Sequence, residues 1–324
     1  MQTSFCNKQI AKIMKRIIVG ILTLLAVTAG CRAVLKNLNA VPGDYYAAVK
    51  TDKPLESKYT AMGQYPVRSF ATAVQGKAFR QCKIWYPAEL ETSDKQYPAV
   101  IFANGTGIPC SKYEPVFEHL ASWGFIAVGS DEESSWSGLG ASQSLELLVS
   151  LGSDKNSVFY NKVNTEQIGI SGHSQGGVAV INAVNTQKGG RMFRSAFGAS
   201  TTKHELSELL KWPYDISRFS IPYFAAAGTE GSDAGDGKDR NTGIAPLWSM
   251  IENSARMPAY TPSVRARRKD AFHEQMLCKG DGYMTAWFLY TLTGDIEAKN
   301  VFAGKNPELK QNQNWQDVEI KNIQ

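Results

Sequence analysis

Long hydrophobic runs are scarce in this chain of 324 residues. The most apolar run extends only from Ile17 to Ala29, whereas a membrane-spanning helix needs about 20 residues. Basic residues precede this run and small residues follow it. That combination is typical of a secretory signal peptide. We therefore predict that residues 1–30 are a signal peptide, which directs the protein across the cytoplasmic membrane.

The end of this segment, Thr28-Ala29-Gly30-Cys31, resembles the lipobox of bacterial lipoproteins. In those proteins the cysteine becomes the lipid-bearing first residue of the mature chain. Thr28 stands where leucine is usual. The resemblance implies a lipid anchor on Cys31 in a bacterial membrane, with residues 31–62 as a tether. The alternative is a plain secretion signal followed by a chance cysteine.

Excess positive charge is also small once the signal is removed. The whole chain has a net charge of +5, and residues 1–30 hold Lys8, Lys12, Lys15 and Arg16 but no acid, so 5 − 4 leaves +1. No basic stripe is interleaved with aromatic residues, which argues against a nucleic-acid partner. Without repeats or a composition break, residues 63–310 are predicted to be one domain, followed by a C-terminal tail at 311–324.

Cysteine is rare after Cys31, where only Cys82, Cys110 and Cys278 remain. Cys82 lies in an alternating strand pattern and is predicted to be a buried thiol. An extracytoplasmic setting permits a disulfide between Cys110 and Cys278. Since connectivity cannot be read from sequence, a bridge and unpaired thiols both stay open.

Strand and helix patterns alternate along the chain. Residues 67–74 and 78–86 read as an antiparallel pair, and later buried strands are separated by amphipathic helices. Such alternation is typical of a mostly parallel sheet of about eight strands with helices on both faces. No insertion is long enough for a cap domain. In the last predicted strand, 263–269, alternating basic residues predict an edge strand guarded against further pairing.

The most informative motif is Gly172-His173-Ser174-Gln175-Gly176. It follows a strand-like run and precedes a helix-like run, and strand, Gly-x-Ser-x-Gly turn and helix are the parts of a nucleophile elbow. Glycines let the strand and the helix approach closely enough for the sharp turn. Ser174 is therefore predicted to be the nucleophile of a serine hydrolase.

Histidine is scarce too, with four residues in the chain. A serine nucleophile needs an imidazole to take its proton. His173 lies inside the elbow and cannot fold back on its neighbour, while His119 and His204 are read, like His173, as surface or capping residues. His273 follows the last predicted strand, where a loop returns to the carboxyl edge of the sheet beside the elbow. It is the predicted base.

The acid of a triad is expected in the loop after the predicted strand 221–227. Asp233 is the first choice and Glu230 the second, because both are close to the end of the strand. Asp236 and Asp239 are expected to be solvated. The acids of this loop lack the alternate-residue spacing of an EF-hand, so no metal site is predicted, and no cofactor is required.

Acyl transfer also needs hydrogen-bond donors for the developing oxyanion. One is the backbone N–H of Gln175, and the other is expected from the loop Asn104-Gly105-Thr106-Gly107, with Thr106 preferred and Gly105 as the alternative. Trp136, one of three aromatic residues that flank the predicted site in sequence, either contacts a flat or acyl substrate or packs in the core.

Three stretches, residues 62–67, 119–125 and 169–177, resemble the α/β-hydrolase superfamily. Within it they are similar to cap-less serine esterases near dienelactone hydrolase and to cutinase-type polyester hydrolases. The resemblance implies the α/β-hydrolase fold and the triad Ser174, Asp233 and His273. In that family the acid usually follows the strand-end glycine by about three residues, whereas Asp233 is five residues after Gly228, which keeps Glu230 open.

The sequence thus predicts an extracytoplasmic carboxylic-ester hydrolase that forms a covalent acyl-enzyme and acts on a small-molecule or polymeric ester. An acyltransferase or a peptidase would use the same triad. A binding lipoprotein on an inactive hydrolase scaffold is the alternative from another class. Substrate specificity and oligomeric state have no sequence signal.

Overall fold

The structure is a computed structural model, and it describes residues 39–237 and 239–323. The predicted signal peptide, Cys31 and the first part of the tether lie outside these ranges. The described residues from Val41 onward form one compact unit, and no separate cap domain is present among them. None of the helices in the described ranges combines the length and the apolar character needed to cross a bilayer.

A nine-stranded sheet forms the centre of the protein, with strand order β1-β2-β4-β3-β5-β6-β7-β8-β9. The six strands from β4 to β8 in this order are parallel, whereas β1, β2 and β9 run antiparallel to their neighbours. The predicted α/β-hydrolase fold is confirmed, with one strand more than the eight expected. The strands are β1 (Val67–Ala73), β2 (Gln81–Pro87), β3 (Tyr97–Ala103), β4 (Ile126–Ser130), β5 (Val163–His173), β6 (Phe193–Ala199), β7 (Tyr223–Gly228), β8 (Ser263–Arg268) and β9 (Trp315–Lys321).

Helices lie in most of the connections between the strands, from β3 onward. Short 3-10 turns lie at residues 88–91, 110–112, 190–192 and 216–218. The α-helices are Tyr45–Ala48, Pro54–Thr60, Glu114–Ser122, Leu139–Ser153, Gln175–Thr186, His204–Leu209, Gly231–Ala234, Leu247–Arg256, Met276–Lys279, Asp281–Phe288 with a π-helical continuation at Leu289–Thr293, Ile296–Lys299 and Glu308–Gln311.

The central strands are buried on both faces. All five residues of β4 and most of β3 are buried, and Val100 and Ile101 are fully inaccessible. Parallel strands covered on both sides read as continuous apolar runs, which explains why the sequence revealed them. Their carboxyl ends meet at one edge of the sheet, and the loops there carry the predicted site residues.

The charged strand β8 is not an edge strand, contrary to the prediction. Strand β9, which lies within the predicted C-terminal tail, pairs antiparallel with it. Arg265 lies 3.6 Å from Glu319, and Arg267 lies 2.7 Å from Asp317. The alternating cations of β8 therefore pair with alternating acids of β9 instead of repelling a partner strand.

The predicted tether also contributes to the fold. The helix Pro54–Thr60 is fixed by a carboxylate near the other end of the chain, because Glu308 accepts hydrogen bonds from the backbone N–H groups of Leu55 and Glu56, both at 2.8 Å. Tyr283 donates a third hydrogen bond to Glu308 at 2.9 Å. A buried acid at a helix N-terminus satisfies donors that have no partner within the helix.

Replacing Glu308 with alanine should lower the free energy of unfolding by about 1–3 kcal/mol, because two buried donors and one partly buried donor lose their acceptor. Urea denaturation of the purified protein measures the change. Glu297→Ala is the matched control, since Glu297 pairs with Lys58 of the same helix at an exposed position and should cost less than about 1 kcal/mol. Equal losses in the two variants would contradict the capping role.

The three described cysteines are free thiols. Of the two alternatives for Cys110 and Cys278, the structure therefore shows unpaired thiols and not a disulfide. Cys110 packs against Gly129 of β4, whereas Cys278 lies on the helix Met276–Lys279. Burial raises the pKa of each of the three thiols to about 12. A thiol with so high a pKa is a weak nucleophile at neutral pH.

Candidate active site

Ser174 lies between β5 and the helix Gln175–Thr186, as the elbow motif predicts. Its backbone has φ 60° and ψ −118°, a conformation that a serine adopts only under strain. A Cβ atom placed on Gly172 would lie 2.1 Å from the carbonyl oxygen of Gly176, and one on Gly176 would lie 2.1 Å from that of Ala103. The turn is therefore packed so closely that both positions require glycine.

His273 and Asp233 form a buried pair at the same edge of the sheet. The distance from His273 Nδ1 to Asp233 Oδ1 is 2.6 Å, and the side chain of Asp233 is inaccessible to solvent. The other carboxylate oxygen, Oδ2, accepts hydrogen bonds from Ser200 Oγ at 2.5 Å and from the N–H of Gly228 at 2.7 Å. Since a carboxylate can only accept, His273 carries its proton on Nδ1, and Nε2 is left free to take another.

Asp233, rather than Glu230, is the acid in contact with the imidazole. Gly231, at φ 41°, starts the short helix Gly231–Ala234, which turns Asp233 back toward the end of β7. This helical turn explains why the acid lies five residues after Gly228. Glu230 is partly exposed, and its backbone N–H binds the carbonyl of Ala271. Ser200, which orients Asp233, is a neighbour that sequence reasoning missed.

His173 contacts the backbone of His273, the predicted base. Its Nε2–H donates to the carbonyl oxygen of His273 at 2.9 Å, and the two rings lie 4.5 Å apart between centroids. Because His173 directly precedes Ser174, this contact places His273 at the elbow. Ser174 Oγ itself makes no hydrogen bond to any residue in the described ranges. His173 is buried, so the expectation of a surface or capping residue was wrong.

The remaining histidines lie elsewhere. His119 is fully buried, contrary to the prediction, with Nδ1 2.7 Å from Asp281 and Nε2 2.9 Å from the carbonyl oxygen of Ala61. Both ring nitrogens therefore donate, and the nearby carboxylate raises the pKa of His119 despite its burial. His204 is partly exposed and lies 3.7 Å from Glu208. Neither of these two belongs to the site.

The loop after β3 lies against the elbow. Gly105 is buried, and a Cβ atom on it would lie 3.4 Å from His173 Nδ1 and 3.8 Å from Ser174 Cβ. Thr106, the preferred second oxyanion donor, follows it at an exposed position. Gln175 is buried at the start of its helix. The structure thus brings the two predicted donor segments together on one side of Ser174.

A network of hydrogen bonds joins these loops. Asn104 donates from its side-chain nitrogen to the carbonyl oxygens of Ser130 and Glu132, at 2.9 and 2.8 Å. Ser135 donates from Oγ to the carbonyl of Asn104 at 2.5 Å, and its backbone N–H donates to Gln175 Oε1 at 2.8 Å. The loops after β3, β4 and β5 are therefore fixed to one another. None of these side chains had a sequence signal apart from its position after a strand.

Glu132 is a buried acid in the same region. Its carboxylate accepts from the N–H of Gly140 at the start of the helix Leu139–Ser153, and burial raises its pKa from 4.5 to about 7. The folded protein therefore binds this proton more tightly than the unfolded chain. Stability from this group is fully present below pH 4.5 and is lost as the pH rises to about 7.

Glu132→Gln should accordingly remove the loss of stability that accompanies the rise from pH 4.5 to about pH 7. The amide resembles the protonated acid, so the variant should match the wild type near pH 4.5 and be more stable by about 1–3 kcal/mol above pH 7. Thermal unfolding followed by circular dichroism at pH 5 and at pH 8 measures the difference. Glu133→Gln is the control, because Glu133 is the exposed neighbour of Glu132. Its difference in stability from the wild type should be the same at both pH values. A gain from Glu132→Gln that is equal at both pH values would contradict the burial argument.

Trp136 is partly buried and packs against the hydrophobic core. Its carbonyl oxygen accepts a hydrogen bond from Asn182 at 2.8 Å. These contacts are those of a packing residue, and its predicted substrate contact stays a prediction.

In the part of the chain that the structure describes, no group of three histidine, cysteine or acidic side chains is arranged to hold a metal ion.

Comparison with known families gives a match over about the first half of the described chain. The profile of the PETase family, described as PET hydrolase-like, matches residues 47–198. The matched segment contains the Ser174 elbow and both predicted oxyanion segments, while Asp233 and His273 lie beyond it. No curated protein matches the chain. The match confirms the predicted resemblance to polyester hydrolases.

Proposed function

We propose that this chain, an α/β-hydrolase similar to PET hydrolases, cleaves carboxylic esters with Ser174, His273 and Asp233 as its catalytic triad. The observation that carries the proposal is the buried Asp233–His273 pair, 2.6 Å apart, beside a strained serine turn. Burial of an acid against one ring nitrogen fixes the tautomer in which the other nitrogen acts as a base.

In the first step Ser174 Oγ attacks the ester carbonyl carbon, and its proton passes to His273 Nε2. The carbonyl oxygen becomes negative and is stabilised by the N–H groups of Gln175 and Thr106. When the intermediate collapses, the bond from carbon to the alcohol oxygen breaks, and His273 returns its proton to the leaving alkoxide. The acyl group stays on Ser174 as an ester.

Water completes the reaction by the same route. His273 takes a proton from water, the hydroxide attacks the acyl carbon, and Ser174 leaves with the proton that His273 holds. Asp233 stays ionised and stabilises the imidazolium in both halves. Because the similarity is to PET hydrolases, the proposed substrates include polyesters as well as small esters.

Labelling with a fluorophosphonate probe tests the triad. The wild type should be labelled at Ser174, and Ser174→Ala should be unlabelled. His273→Ala should label at least about 10³-fold more slowly, because the serine loses its base. His204→Ala is the matched control, since His204 lies outside the site, and it should label at the wild-type rate. A wild type that resists the probe would refute the proposal and favour a binding protein.

Product analysis then separates hydrolysis from the alternatives. Hydrolysis of p-nitrophenyl butyrate should release butyrate even with a large excess of added alcohol or amine. Formation of a new ester or amide instead would favour an acyltransferase. A film of an aromatic polyester, incubated with wild type and with Ser174→Ala, tests whether polymers are substrates.

We also propose that the protein works outside the cytoplasm on a lipid anchor at Cys31, a proposal that the signal-like sequence supports. Cells that express the full chain and are fed an alkyne-tagged fatty acid should yield labelled protein in the membrane fraction. Cys31→Ser should lose both the label and the membrane association. Unchanged fractionation of this variant would favour plain secretion.

A further inference from the structure

His173 is a buried side chain that the proposed mechanism leaves unused. Only 6 % of it is exposed, and one of its ring nitrogens makes a hydrogen bond. Its Nε2–H donates to the carbonyl oxygen of His273 at 2.9 Å, while Nδ1 faces Gly105 of the oxyanion loop. The only other donor to that carbonyl within the described ranges is the N–H of Met276, at a longer distance of 3.3 Å.

We propose that His173 is a positioning residue, which holds the backbone of His273 and the oxyanion loop in register with Ser174. The inference rests on the proposed triad. The nucleophile is fixed by the sheet, since Ser174 continues β5, but His273 lies in a loop between β8 and the helix Met276–Lys279. The backbone of a loop residue needs a contact that fixes it relative to the nucleophile. His173 provides this contact, because it is the residue next to Ser174 and it hydrogen-bonds to the backbone of His273.

The chemistry of the ring suits an anchor and not a second base. Burial and the neighbouring His273 lower the pKa of His173 to about 3, so the ring of His173 is neutral at neutral pH. A neutral imidazole has one N–H, and in His173 this N–H donates to the carbonyl oxygen of His273. His173 Nδ1, which faces Gly105, therefore carries no proton. A protonated His173 would repel the imidazolium that forms at His273 during the reaction.

Two variants separate the donor from the ring. His173→Gln keeps an N–H at similar reach from the backbone but removes the ring, whereas His173→Phe keeps a ring of similar size but removes the donor. If the hydrogen bond positions His273, the phenylalanine variant should lose about 10- to 100-fold in kcat with KM within about 2-fold, as for a misplacement of up to 1 Å. The glutamine variant should recover most of that loss.

The pH profile gives a readout that a change in overall stability would not produce. The acid limb of kcat/KM, which reports the essential base, should keep its midpoint in His173→Gln, because His173 does not titrate there. Ester hydrolysis and the rate of fluorophosphonate labelling should fall together in His173→Phe, with an unchanged melting temperature in both variants serving as the check on folding.

Three results would overturn the inference. Wild-type kcat in His173→Phe would show that the donor is dispensable. A large rise in KM with unchanged kcat would make His173 a substrate contact. Equal losses of kcat in the two variants would show that ring packing, not the hydrogen bond, is what matters. Failure of the triad itself would be recognised separately, as activity or labelling that survives in Ser174→Ala.

Discussion

Asp233→Asn should lower kcat for ester hydrolysis by about 10⁴-fold and leave KM nearly unchanged. The reason lies in the two donors that hold one oxygen of the carboxylate. Ser200 Oγ and the N–H of Gly228 both point at Oδ2, so the carbonyl oxygen of an asparagine would take that place. Its NH₂ group would then face His273 Nδ1 and force the other tautomer. The proton would lie on Nε2, where Ser174 needs an acceptor.

Steady-state kinetics with a p-nitrophenyl ester measure this effect, and circular dichroism shows whether the variant is folded. Since Asp233 is inaccessible to solvent, KM has no direct reason to change. Glu230→Gln is the matched control, because it makes the same chemical change at the second acid that the sequence allows. It should retain activity within about 2-fold, as for a typical surface substitution. The reverse result would move the triad acid to Glu230.

The sequence was sufficient to predict that Ser174, Asp233 and His273 lie at one edge of the sheet. A glycine-bounded serine between a strand and a helix marks the elbow, and the order of elements along a parallel sheet places later loops at the same edge. Scarcity helped as well, since few histidines competed with His273. The choice between Asp233 and Glu230 was not predictable, because it depends on one short helical turn after Gly231.

The errors share a physical origin, which is pairing between distant segments. The arginines of β8 look like an edge guard until Asp317 and Glu319, about 50 residues later, provide their partners. His119 looks like a surface residue until Asp281, far along the chain, provides its carboxylate. A polar side chain has no local mark that tells whether it will be buried. Burial is decided by a partner that only the fold brings near.

The supporting residues of the site escaped prediction for the same reason. Ser135 and Asn104 belong to loops that composition describes only as turns, and their roles arise from contacts across strands. His173 could be excluded as the base from sequence, since it adjoins the nucleophile. Its donation to the carbonyl of His273 required the fold, because 100 residues separate the two.

Gly176→Ala should damage both activity and stability. The added Cβ would lie 2.1 Å from the carbonyl oxygen of Ala103 and 2.9 Å from that of Asn104. Both are backbone atoms, so no side-chain rotation relieves the clash, and the end of β3 must move away from the helix Gln175–Thr186. That movement separates the two oxyanion donor segments. We expect kcat to fall by about 100-fold or more and the free energy of unfolding by about 1–3 kcal/mol.

Kinetics with a p-nitrophenyl ester and urea denaturation measure both losses in the same preparation. Gly43→Ala is the matched control, because a Cβ atom there meets no atom within 4 Å and the backbone is free of positive φ. That variant should stay within about 0.5 kcal/mol of the wild type and keep full activity. If Gly176→Ala kept wild-type stability but lost activity, the clash would be relieved at the oxyanion loop alone. If it kept both, the close packing of β3 against the elbow would not be what fixes the geometry of Ser174.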